Sequence, residues 1–148
     1  MSTFLKTAAL SIALATLTGS ALASNDPAPK DGAYRGKGSW KSADQQEGSY
    51  TVQADVTGDT IASSYSYNGQ TQSFVVKLDR KPNGFLVVRD VEGKKIGTGY
   101  CIFIQCHYEV PSSHLEETLT FWEGHLYRLG SKGKGANRVM WIEDLKAE

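Results

Sequence analysis

Ser49-Tyr50-Thr51-Val52-Gln53-Ala54-Asp55-Val56-Thr57-Gly58-Asp59-Thr60-Ile61-Ala62-Ser63-Ser64-Tyr65-Ser66-Tyr67-Asn68-Gly69 contains two alternating runs, each followed by a two-residue turn signal. Strand side chains point to opposite faces in succession, so Tyr50, Val52, Ala54 and Val56 share one face and Thr51, Gln53 and Asp55 the other. Beyond Gly58-Asp59 the phase shifts, with Ile61, Tyr65 and Tyr67 on the apolar side. Asn68-Gly69 tolerates positive φ at both positions, as a tight hairpin turn requires. The stretch therefore predicts consecutive antiparallel strands.

The same rhythm extends in both directions. Upstream, Tyr34, Gly36, Gly38 and Trp40 alternate with Arg35, Lys37, Ser39 and Lys41. Downstream, Phe74, Val76 and Leu78 keep the pattern, and Pro82-Asn83-Gly84 turns the chain into residues 85–91. Further strands are expected over 96–101, 106–110, 115–122, 125–129 and 139–145, with a helical end over 143–147 as an alternative. Residues 130–135, rich in glycine and lysine, read as a flexible loop. No window sustains helical periodicity for three turns. Strands joined by short turns and polar on one face remove their edges by closing. The expected fold is thus all-β, an antiparallel up-and-down β-barrel of about 8–10 strands, with a two-sheet β-sandwich as the alternative.

Cys101 and Cys106 are the only cysteines. In one continuous strand they would lie about 16 Å apart and on opposite faces, out of reach of a disulfide. A hairpin with Ile102-Phe103-Ile104-Gln105 as its loop makes them a facing pair. Closing so short a loop contributes about 2 kcal/mol and fixes register more than overall stability. Two free buried thiols are the alternative. Cys-x4-Cys-His107 lacks the spacing and second ligand pair of a metal site, so no metal is expected.

An oxidising compartment is implied independently. Lys6, the apolar run from Thr7 to Leu17 and the small-x-small Ala21-Leu22-Ala23 form a secretory signal peptide over residues 1–23. The run is too short to span a bilayer. A periplasmic protein is expected after removal near Ala23, or else a secreted extracellular one. Residues 24–32 then form a flexible leader, and 33–148 a single β-barrel domain. Without Lys6 the chain carries 15 Lys and Arg against 16 Asp and Glu, which argues against a nucleic-acid partner. Lys37, Asp55, Lys77, Asp79 and Asp90 interrupt the outward face that an outer-membrane barrel would need apolar.

Gly38-Ser39-Trp40 on the first strand resembles the Gly-x-Trp motif of the calycin group, the lipocalins and their relatives. The resemblance implies that Trp40 closes one barrel end and that an arginine near the last strand packs across it. Gly38, Trp40 and Arg138 would form that closure, with Arg128 as the substitute. It also implies a small ligand inside.

Candidate sites follow from the aromatic content. Tyr34, Trp40, Tyr50, Tyr65, Tyr67, Phe74 and Tyr100 are read as facing inward. Trp40, Tyr65, Tyr67 and Tyr100 would line a pocket for a small, partly apolar ligand, unless side chains fill the barrel. Ile102, Phe103 and Ile104 would either contact a protein or membrane surface or plug one barrel end. His107, His114 and His125 read as surface residues, and Glu116-Glu117 as a solvated strand start. No motif names a nucleophile, a base or a cofactor, so the expectation is a non-catalytic module without cofactors. It would bind a small ligand inside or act as a protein-interaction or inhibitor module through the hairpin tip 101–106.

Overall fold

The alternation around Tyr50–Gly69 is realised in the computed structural model as β2 (Glu47–Thr57) and β3 (Thr60–Tyr67), joined at Gly58-Asp59. The structure describes residues 30–148, so the expected signal peptide and most of the leader lie outside the described residues. Before β2 comes β1 (Gly32–Ser42). After β3 come β4 (Gln70–Arg80), β5 (Phe85–Arg89), β6 (Lys95–Ile102) and β7 (Gln105–Val110). A 3-10 turn at Pro111–Ser113 leads into β8 (Leu115–Trp122) and β9 (His125–Lys132). A second turn at Gly135–Asn137 precedes β10 (Val139–Ala147).

Each strand pairs with its sequence neighbours, and β1 pairs with β10 from Tyr34↔Ala147 to Ser42↔Val139. The sheet is a closed, ten-stranded antiparallel up-and-down barrel rather than a sandwich. Closure leaves no strand edge unpaired. The architecture is consistent with a calycin-like barrel.

Val52, Ala54, Val56, Ile61, Val76, Leu78, Leu86, Val88, Leu119, Leu126 and Leu145 fill much of the interior at their inward positions. Gly38 is buried beside Tyr50: a Cβ there would lie 2.4 Å from the Tyr50 ring. Gly130 makes the same room for Trp141, where a Cβ would come within 2.3 Å of the indole. These glycines let two large rings enter a narrow barrel.

Several local expectations are corrected. Ile102 pairs with Gln105, so the cysteine turn is the two residues Phe103-Ile104, with Phe103 at φ 53°. Gly130, Ser131 and Lys132 belong to β9 rather than to a flexible loop. Residues 143–147 continue β10, because Glu143 and Leu145 must face inward opposite Arg128 and Leu126.

The Cys101–Cys106 disulfide links directly paired residues of β6 and β7, with Cα atoms 4.0 Å apart. Replacing both cysteines by serine should lower the unfolding free energy by about 2 kcal/mol in urea titration while the fold persists. A loss of cooperative unfolding would show that the bridge holds up far more than its own turn.

Candidate functional site

Alternation brings three charged side chains inward among apolar neighbours: Glu117 between Leu115 and Leu119, Arg128 between Leu126 and Gly130, and Glu143 between Trp141 and Leu145. All three are buried, with Arg128 only 2% exposed. Arg128 donates from Nε at 3.0 Å and from Nη2 at 2.7 Å to Glu117 Oε1. Its Nη1 donates to Ser63 Oγ at 3.0 Å and lies 3.2 Å from Glu143 Oε2.

Tyrosines complete the cluster. Tyr108 donates to Glu117 Oε2, and Tyr50 donates to Glu143 Oε1 at 2.5 Å. Trp141 Nε1 reaches Glu117 Oε1 at 3.4 Å. The Tyr65 ring faces the guanidinium, its centroid 5.7 Å from Arg128 Cζ. Strands β2, β3, β7, β8, β9 and β10 therefore meet at one ionic centre.

The two carboxylates are not equivalent. Glu117 accepts the short bonds from Arg128 and the Tyr108 hydroxyl. Glu143 Oε2 makes no hydrogen bond: its 3.2 Å contact with Arg128 is an ion pair without hydrogen-bond alignment. Burial, opposed by Arg128 and the Tyr50 hydroxyl but aided by Glu117, raises the Glu143 carboxyl above its ordinary value. Burial opposes the Arg128 charge too, yet Glu117, Tyr65, Glu143 and Tyr108 together hold its pKa above the ordinary arginine value. Burial and neighbouring carboxylates push the Tyr50 and Tyr108 hydroxyls well up, so both remain donors.

The predicted lining residues separate. Tyr65 lies inside against Arg128. Trp40 and Tyr67 lie at a rim, edge to face with ring centroids 6.0 Å apart. Tyr100 points outward: it pairs with Phe85 and His107 on neighbouring strands, while Gly97 and Gly99 occupy inward positions of β6 beside β7. The closure residues separate as well. Gly38 faces Tyr50, and Arg138 lies outside, donating to Ser131 Oγ at 2.9 Å and 3.8 Å from Glu116. Arg138 shares the parity of the outward Met140 and Ile142, so the arginine inside the barrel is Arg128.

At the barrel end bearing the disulfide, Phe103 is 77% exposed and Ile102 is exposed beside it, whereas Ile104 is half-buried. Phe85 and Tyr100, directly paired on β5 and β6, are also exposed. The backbone N–H of Phe121 donates to the Ile104 carbonyl at 3.0 Å, which brings exposed Trp122 beside the tip. Five large apolar side chains thus surround one turn.

The histidines do not converge: His107 is 3.7 Å from Glu109, and His125 bonds Asp144 at 2.6 Å. No cluster of three metal-ligating side chains occurs among the described residues. No helix among them is long and apolar enough to cross a membrane. The sequence matches no family model and no curated protein.

Two substitutions test the ionic centre. Arg128→Met leaves two buried carboxylates without their cation and should cost about 3–5 kcal/mol in chemical unfolding. Glu143→Gln acts with a definite sign. A carboxyl whose folded pKa is raised stabilises the fold fully below its ordinary value of 4.5, and that contribution is lost as pH rises through the raised value. The urea midpoint of Glu143→Gln should therefore gain on that of the parent as pH rises from 4.5; parallel pH profiles would refute the assignment.

Proposed function

We propose that this protein is an exported, non-catalytic interaction module that seats the rim formed by Phe85, Tyr100, Ile102, Phe103 and Trp122 in an apolar recess of a protein partner. The exposed rim carries this reading. Aromatic anchors supply much of the energy of protein interfaces, and a turn tied by a disulfide loses little freedom when it docks. Exposed apolar clusters of this kind mark contact surfaces.

The small-ligand reading has less support, because the inward tyrosines are already engaged with Glu117, Arg128 and Glu143. Calycin kinship rests on Gly38-Ser39-Trp40 and on closure of the barrel. Export rests on residues 1–23, and the disulfide agrees with an oxidising compartment such as the periplasm. A protein partner suits the rim better than an anionic bilayer. Glu123 adjoins Trp122, and Lys81 near the tip is engaged by Asp79 at 3.0 Å, which leaves it less free to meet headgroups.

A photo-crosslinking residue at position 103, expressed in the native host, should give one discrete protein adduct. The same residue at Thr51, exposed on the polar outer face of β2, should not. Trp122→Asp should suppress the adduct at least tenfold without lowering the thermal midpoint. Equal adducts from both positions, no adduct, or binding to neutral vesicles in place of protein would each refute the proposal.

A further inference from the structure

At the barrel end opposite the cysteine turn, the connections β7–β8 and β9–β10 flank an open cleft of about 480 Å³. This is within the size range of small-molecule sites. The Gly133 N–H donates to the His114 carbonyl at 3.2 Å, so each connection braces the other. Leu115 and Pro111 supply apolar surface. Ser131 lies on the outward side of β9 yet is only 7% exposed, with Arg138 bonded to its hydroxyl.

The charges lining this cleft are separated by sign. Glu109 and Glu116 come from the β7–β8 side, and Lys134 and Arg138 from the β9–β10 side. The Arg138–Glu116 pair stands at 3.8 Å with both side chains about half exposed, too long for a hydrogen bond. Such a loose surface pair contributes little to stability and is easily replaced by ligand charges. Lys134, exposed, makes no salt bridge among the described residues and lines the cleft on the same side as Arg138.

We infer that this cleft binds a small zwitterion with an apolar body, an amino acid or short peptide with free termini. Its carboxylate would sit against Arg138 and Lys134, its ammonium against Glu116 and Glu109, and its side chain on Leu115 and Pro111. The inference is independent of the aromatic rim, which lies at the other end of the barrel.

The test is a titration of the isotope-labelled mature protein with leucyl-leucine, followed by amide NMR. Saturable shifts are expected at residues 112–116 and 131–138. N-acetyl-leucyl-leucine and leucyl-leucinamide, each lacking one charge, should bind at least tenfold more weakly. Arg138→Gln and Glu116→Gln should each weaken leucyl-leucine at least tenfold while leaving shifts elsewhere in the spectrum unchanged. Equal binding of the acetylated peptide would reduce the site to an anion site and overturn the inference. So would the absence of saturable shifts, or shifts centred on residues 100–104.

Discussion

The placement of one guanidinium inside a closed barrel constrains the rest of this structure. Burying a charge costs several kcal/mol unless close partners compensate, and truncating one partner leaves the others uncompensated. Arg128 is compensated by Glu117 and Glu143, and those carboxylates are held in turn by Tyr108, Trp141 and Tyr50. Groups from six strands must therefore be in register at once. A slip of one residue in any of them would send its side chain to the outer face. The ionic centre thus specifies register, while the apolar side chains around it supply most of the driving force.

That centre also shapes where the molecule can meet other molecules. The inward tyrosines are donors and ring partners to charges, so their polar groups are already spoken for within the fold. One group of exposed apolar side chains lies at the disulfide-bearing end and another on the β9–β10 wall around Leu129, Met140 and Ile142, while exposed charge lies at the cleft of the opposite end. Closure of the sheet makes the wall between the two ends rigid, which lets a two-residue turn present Phe103 with little freedom to lose.

The architecture was legible because period-two alternation and tight-turn dipeptides are local signals. Tyr50 to Val56 and Ile61 to Tyr67 fall on the faces their spacing assigns. The cysteine pairing followed from hairpin reach together with the oxidising compartment that residues 1–23 imply. The ionic centre was harder to see, since Glu117 reads as half of a solvated Glu116-Glu117 pair. Its parity with Leu115 and Leu119 was the available signal, as was that of Arg128 with Leu126 and of Glu143 with Leu145. Tyr100 misled because β6 turns glycines inward, which leaves its apolar residues no pattern to follow. The rim was unreadable in full: Phe85 and Trp122 join Phe103 only through strand pairing over long sequence separations.

Proton exchange at the Arg128 side chain tests the account most directly. In a nitrogen–proton spectrum at neutral pH, the Arg128 Nε–H should give a sharp, shifted resonance that survives transfer into deuterated water. Solvent-exposed arginines such as Arg138 should exchange within the dead time. An Arg128 signal lost as fast as theirs would mean that water reaches the barrel centre, and the buried ionic cluster would have to be abandoned.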